Sequence, residues 1–154
     1  AELSSLQRIG AREENMLIAQ GNLASTYQML GRLDEALSMR RDVYSGTLRL
    51  YGEEHEDTLR EANNYSNSLV AVKRYTEARS LLRRTMRMAQ RVIGDSNELT
   101  FNMNINYARA LYEDPAATLE NIREGVAMLE ETARTARRVL GPSNPLTIDL
   151  MRAL

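Results

Sequence analysis

The stretches GEEHEDTL (52–59), GDSNELTF (94–101) and GPSNPLTI (141–148) decide the fold, because each places a glycine six residues before a threonine. The three glycines are 42 and 47 residues apart, and Gly10 lies 42 residues before Gly52. A period in this range is typical of proteins built from stacked helical or strand units. We therefore expect a repeat protein.

The residues between the glycines follow the same register. Asn22, Asn64 and Asn106 are each 42 residues apart. The match is lost at EDPAATLEN (113–121), and an offset of 47 restores it afterwards. One insertion of five residues, the difference between 47 and 42, explains both spacings.

Each period contains two amphipathic segments with helical periodicity. The first helices are predicted at about 15–30, 57–72 and 99–113, and the second helices at about 33–51, 75–93 and 116–140. The recurring glycine is predicted to end the second helix as a left-handed C-cap. Asp114 and Pro115 are predicted to begin the last long helix. A single hairpin cannot cover its apolar stripe, so we expect an all-α solenoid of stacked antiparallel helix hairpins.

The whole chain, 1–154, is predicted to be one array. Its expected parts are the tail of a preceding helix (1–9), repeat 1 (11–52), repeat 2 (53–94), repeat 3 with its five-residue insertion (95–141) and the start of a truncated fourth repeat (142–154). Both ends are expected to be cut from a longer array, since the apolar residues within 146–154 lack a following partner.

Composition and charge limit the possible functions. The net charge of −1 argues against a protein that coats nucleic acid. The sequence has no apolar run long enough to span a membrane, and the absence of cysteine favours a cytoplasmic location. No phosphate loop, nucleophile with a histidine base or convergent acid pair is found, which predicts a non-enzymatic protein without a cofactor. His55, the only histidine, is interpreted as a linker residue rather than a metal ligand.

The segments GNLASTYQMLGRLDEAL (21–37) and NYSNSLVAVKRYTEAR (64–79) resemble tetratricopeptide repeats (TPRs). The 42-residue length and the linker pattern G-x-x-H-P-x-T are similar to kinesin light chain repeats, although Glu56 stands in the place of the proline. The resemblance implies a right-handed solenoid whose first helices line a concave surface. It also implies that the equivalent asparagines of the three first helices hold the backbone of an extended peptide.

The first helices hold eight of the eleven asparagines, although asparagine is a poor helix former. A carboxamide has donors and an acceptor and can pair with any peptide unit. The predicted peptide-binding residues are Asn22, Asn64, Asn106, Arg60, Asn63, Asn67, Asn102 and Arg109. The alternative is that the asparagines mainly bond neighbouring repeats or water. With only two basic residues on this face, a clamp for a C-terminal dicarboxylate is not expected.

The sequence thus predicts a protein–protein interaction module that binds a peptide or a disordered segment of another protein. Two alternatives stay open: an architectural or self-associating segment, and an accessory region of a larger multidomain protein. An arginine stripe on the second helix of repeat 2, formed by Arg83, Arg87 and Arg91, could seat phosphates. We interpret it as a solvated outer face, because no net basicity accompanies it.

Overall fold

The structure, a computed structural model, describes residues 2–154, without the side chains of residues 2 and 153. Within this range the chain forms seven α-helices and no strands. They are α1 (Glu2–Met29), α2 (Leu33–Tyr51), α3 (Glu56–Ala71), α4 (Tyr75–Val92), α5 (Glu98–Tyr112), α6 (Leu119–Leu140) and α7 (Pro145–Ala153). From α2 to α5 each helix begins and ends within about a residue of its predicted bounds.

Each helix packs against the next one along the chain, so α1–α2, α3–α4 and α5–α6 form the three hairpins. The apolar core continues from one hairpin to the next. Leu59 of α3, Leu82 of α4 and Met103 of α5 lie in one buried cluster. Phe101 and Leu129 lie in a second cluster, which joins α5 to α6 and α7. The stack therefore buries the apolar stripes that no single hairpin could cover.

The repeated glycines end the second helices, as predicted. Gly52, Gly94 and Gly141 follow α2, α4 and α6 with φ angles of +81°, +81° and +88°. For Gly52 and Gly141 the ψ angles are 176° and 163°, so their backbone is extended rather than left-handed helical. The predicted left-handed C-cap is therefore wrong for these two residues. This combination of angles is essentially restricted to glycine.

The residue three positions after each glycine begins the next helix. His55, Asn97 and Asn144 are the N-caps of α3, α5 and α7, and each side chain accepts a hydrogen bond from the backbone N–H two residues on. For His55 the acceptor is Nδ1, 3.2 Å from the nitrogen of Asp57. Histidine and asparagine thus build the same turn, because each offers a short-range acceptor. His55 has the predicted place in a linker.

The predicted helix boundary at Gly10 is wrong, because α1 runs through this residue without interruption. Residues 2–9 are therefore continuous with the first helix of repeat 1 and are not the tail of a separate helix. The difference lies in the residues that follow. Glu13 stands where the later linkers have His55 or an asparagine, and Met16 stands where they have threonine. A glycine without these signals weakens a helix but does not end it.

The long third hairpin also begins differently from the prediction. Thr118, not Asp114, caps α6, and it forms a reciprocal capping box with Asn121. Asp114 instead accepts hydrogen bonds from the nitrogen of Ala116 and from Arg79 Nη1, both at 2.9 Å. The hydrogen bond from Ala116, followed by that from Arg79, lowers the pKa of the Asp114 carboxyl group. The hydrogen bond between Arg79 and Asp114 therefore attaches the insertion to α4.

Candidate functional site: the cleft between α1 and α3

The three equivalent asparagines lie in different environments. Asn22 on α1 is exposed, Asn64 on α3 is half-buried, and Asn106 on α5 is only 8% exposed. The register predicted from the sequence is present, but the surroundings of the three side chains differ. The reason lies in how neighbouring first helices meet.

The junction between α3 and α5 is closed by side-chain hydrogen bonds. These two helices pack directly against each other. Asn106 Nδ2 donates to Asn63 Oδ1 at 2.9 Å, and both residues are 8% exposed. Close by, Arg109 Nη1 donates to Asn67 Oδ1 at 3.1 Å. Four of the predicted peptide-binding residues therefore bond to each other across neighbouring repeats.

The junction between α1 and α3 is more open than that between α3 and α5. One direct side-chain hydrogen bond crosses it, from Ser68 Oγ of α3 to Gln28 Oε1 of α1 at 3.5 Å. Gly21 and Ser25 occupy the positions on α1 that are equivalent to Asn63 and Asn67 on α3. Neither side chain is long enough to bridge to α3 as the asparagines bridge to α5. A cavity of about 390 Å³ lies between the two helices, and we call it the α1–α3 cleft.

The walls of the α1–α3 cleft carry three predicted site residues, Asn22, Asn64 and Arg60. Asn64 Nδ2 donates to Glu61 Oε1 of its own helix at 3.2 Å. Arg60 donates to Glu56 at 2.8 Å. The cleft therefore presents carboxamide groups that are not bonded across the junction between repeats. Asn102, the remaining predicted residue, is half-buried on α5 and does not line this cleft.

The floor of the cleft is formed by α2. Val43 and Thr47 are buried there, and Leu17 of α1 adds an apolar side chain. Tyr51 lies at one end, where its hydrogen bond with Glu14 raises the pKa of the phenol. A mixture of apolar and polar groups in a concave site of this size is common in ligand-binding pockets.

Arg40 is the residue of this cleft that the sequence analysis missed. It lies on α2 and is 8% exposed. Its Nη2 donates to Ser25 Oγ at 2.5 Å, while Nη1 lies 3.5 Å from Glu61 Oε2. The repeat alignment could have identified Arg40 as unusual, because the equivalent residues in the next two repeats are Leu82 and Leu129. An arginine at a leucine position departs from the core pattern.

The other candidates of the sequence analysis have ordinary surroundings. In the arginine stripe on α4, Arg83 Nε donates to the hydroxyl group of Tyr107 at 2.7 Å, and Arg91 pairs with Glu54. Arg84, beside the stripe, pairs with Glu53. Among residues 2–154, no group of three or more histidine, cysteine or acidic side chains is placed to hold a metal ion. None of the helices in this range is long and apolar enough to cross a membrane.

Two comparisons identify the fold and the family. The crystal structure of BtubC (BKLC) from P. vanneervenii is similar, with a TM-score of 0.72 and 15% identity. The match covers 92% of this chain and 57% of that one. No curated protein matches the sequence.

Residues 17–57 and 58–98 match the tetratricopeptide repeat family. These findings confirm the predicted all-α solenoid and its resemblance to kinesin light chain repeats. Because the matched residues make up more than half of the chain, the protein belongs to the tetratricopeptide repeat family.

Proposed function

We propose that this protein is a non-catalytic interaction module that binds an extended peptide segment of another protein in the α1–α3 cleft. Tetratricopeptide repeats are generally protein-interaction modules, and the repeat family is assigned here by sequence. The observation that carries the finer proposal is the contrast between the two junctions. The α3–α5 junction is closed by its own side chains, whereas the α1–α3 junction holds a cavity of about 390 Å³.

The chemistry of the α1–α3 cleft suits a peptide. Asn22 and Asn64 each offer a carboxamide, which can donate to a peptide carbonyl and accept from a peptide N–H. Leu17 and Val43 offer apolar surface for a ligand side chain. A shallow cleft of this kind gives modest affinity for one segment, so a longer array or several copies would raise the overall binding strength.

In this proposal Asn63 and Asn106 stabilise the interface between repeats and do not bind the peptide. Both are buried, and Asn106 Nδ2 donates to Asn63 Oδ1, so a ligand would have to break this hydrogen bond before using those two atoms. Leaving a buried amide unpaired costs about 1–3 kcal/mol. The proposal therefore narrows the predicted peptide-binding residues to those of the cleft: Asn22, Asn64 and Arg60.

The proposal is tested by selecting peptides on a random display library and measuring their affinity by calorimetry. We expect Asn22→Ala and Asn64→Ala to weaken binding about tenfold each, since a lost hydrogen bond in a bound complex is worth about 1 kcal/mol or more. Leu23→Ala is the matched control, because Leu23 is exposed on α1 and does not line the cleft. Unchanged affinity in both asparagine variants would remove the proposed site.

A second candidate function, self-association, is favoured by one further observation. Leu3, Leu6 and Ile9 on α1 are between 60% and 72% exposed, although they recur at helical spacing. Light scattering after size-exclusion chromatography tests this candidate over a dilution series. Multimers that persist on dilution and dissociate in Leu6→Glu would support it. A monomer at every concentration would exclude it.

The remaining predictions follow from composition. The cytoplasm stays the predicted compartment, because the chain has no cysteine. Nucleic acid is not a predicted partner at a net charge of −1.

A further inference from the structure

Arg40 occupies a position of the repeat that is otherwise apolar. In repeats 2 and 3 the equivalent residues are Leu82, which is 0% exposed, and Leu129, which is 6% exposed. Arg40 is buried almost as deeply, at 8%. A buried charge is costly unless it is well paired, and exchange for a hydrophobic residue of similar size is often neutral or stabilising. Packing alone therefore does not account for an arginine at this position.

The pairing of Arg40 is incomplete. Its nearest carboxylate, that of Glu61, is 3.5 Å away and also accepts from Asn64. The hydroxyl group of Ser25 is its other acceptor, and Arg40 Nε has no hydrogen-bond partner among the described residues. The two terminal nitrogens of a guanidinium group can hold a carboxylate with two parallel hydrogen bonds. No such arrangement exists between Arg40 and Glu61.

A second residue makes room for this guanidinium group. Gly21 occupies the position on α1 where repeat 2 has Asn63. A Cβ atom on Gly21 would lie 3.6 Å from Arg40 Nη1, so the helix backbone passes directly beside the charge. A Cβ atom at this distance is in ordinary van der Waals contact, and the longer side chain of an asparagine would bring a carboxamide next to the guanidinium group. Gly21 and Arg40 thus stand where repeat 2 has Asn63 and Leu82, and Arg40 places one cation on the floor of the cleft.

We propose that Arg40 determines ligand specificity by binding a single carboxylate of the peptide held in the α1–α3 cleft. The inference rests on the proposed function and names the chemistry of its ligand. The carboxylate is single because Glu14, Asp57 and Glu61 also line the cleft. Arg60, the other guanidinium group of the lining, already donates to Glu56, so a second acidic residue of the ligand would meet these three carboxylates without an unpaired cation to offset them.

The test uses an array of short peptides of random sequence, half with a free C-terminal carboxylate and half amidated. It compares the wild-type protein with Arg40→Leu and with Arg41→Leu. Arg41 loses the same charge one residue away, but it is exposed, pairs with Asp42 and does not line the cleft. Enrichment of Asp or Glu at one position indicates a side-chain carboxylate as the ligand, and preference for the free acid indicates the C-terminus.

We expect peptides retained by the wild type and by Arg41→Leu to show one of these two preferences, without acidic runs. With Arg40→Leu the preferred peptides should bind about tenfold more weakly, the factor for losing a charge-assisted hydrogen bond. The thermal midpoint of this variant should be unchanged or higher, as at a leucine position. Loss of folding in Arg40→Leu, or retained peptides without a carboxylate preference, would overturn the inference and leave the proposed function intact. Retention of no peptide at all by the wild type would overturn both.

Discussion

The two junctions between first helices use equivalent positions of the same repeat and reach opposite results. Between α3 and α5, Asn106 donates to Asn63 at 2.9 Å, and both residues are 8% exposed. Between α1 and α3, the equivalent residues are Gly21 and Asn64, and a cavity of about 390 Å³ takes the place of the hydrogen bond. Shorter residues at two positions of α1, Gly21 and Ser25, thus accompany the change from a packed junction to a cleft.

The difference shows how a repeat protein can place a site at one point of an otherwise regular array. The backbone positions are set by the repeated linkers, which share a glycine with positive φ and an N-cap side chain that accepts from the backbone N–H two residues on. The side chains at the junction can then vary while the helix hairpins stay stacked. Polar residues that recur in a repeat therefore need not share one role.

The largest effect is expected when the residues at equivalent buried positions, Arg40 and Leu82, are each replaced by the other type. Leu82→Arg should destabilise the protein by about 3–5 kcal/mol, because it buries an uncompensated charge in the cluster around Leu59 and Met103. Arg40→Leu should change stability by no more than about 1 kcal/mol in the unfavourable direction. Urea denaturation followed by circular dichroism measures both. Equal losses would mean that the two positions are equivalent and that Arg40 is ordinary structural packing.

Alanine substitutions of two linker glycines should have similar effects on stability but different effects on peptide binding. Gly52→Ala and Gly94→Ala should each cost about 1–3 kcal/mol, because alanine is strained at a φ of +81°. Only Gly52 lies between α2 and α3, which border the cleft, so only its variant should also weaken peptide binding. Gly10→Ala is the control and should stabilise the protein by about 1 kcal/mol, since Gly10 is inside α1. A loss of stability in Gly10→Ala would contradict the continuous helix.

The closed junction predicts a smaller but specific loss. Asn106→Ala removes the partner of buried Asn63 and should cost about 1–2 kcal/mol, after allowance for the better helix propensity of alanine. Asn64→Ala, the equivalent change at the open junction, should alter stability by less than about 0.5 kcal/mol. A double-mutant cycle with Asn63→Ala isolates the coupling of the pair. Additive effects of the two closed-junction variants would show that their hydrogen bond contributes nothing.

Closing the cleft should affect binding far more than stability. Gly21→Asn gives α1 the residue that α3 has at Asn63, so its carboxamide should reach Asn64 as Asn63 reaches Asn106. We expect stability to change by less than about 1 kcal/mol, because the gained hydrogen bond offsets crowding of Arg40. Peptide binding should be lost. Full binding in a folded Gly21→Asn variant would place the ligand elsewhere.

Most of the fold could be predicted from the sequence, because the signals were local and repeated. Each glycine that follows a second helix, Gly52, Gly94 or Gly141, is followed three residues later by the residue that caps the next helix. Gly10 misled the prediction, since a glycine alone resembles the linker but lacks its capping residue. Asp114 and Pro115 misled it in a similar way, because Asp114 bonds to Arg79 across the hairpin, which no local pattern records.

Less of the candidate site could be predicted. The register correctly aligned Asn22, Asn64 and Asn106, but burial depends on the residues of the neighbouring helix and not on the register. Asn106 is buried because Asn63 faces it, and Asn22 is exposed. Arg40 was overlooked because charged residues on a helix are usually assigned to the surface. Comparison with Leu82 and Leu129 would have identified it.

The most direct test of the central claim is NMR observation of the side-chain carboxamide groups during titration with a peptide selected on the wild-type protein. The account predicts that the signals of Asn22 and Asn64 shift as the peptide binds. Those of Asn63 and Asn106 should stay in place, because their hydrogen bond is retained. Shifts confined to Asn63 and Asn106, with Asn22 and Asn64 unchanged, would contradict the assignment of the α1–α3 cleft as the binding site.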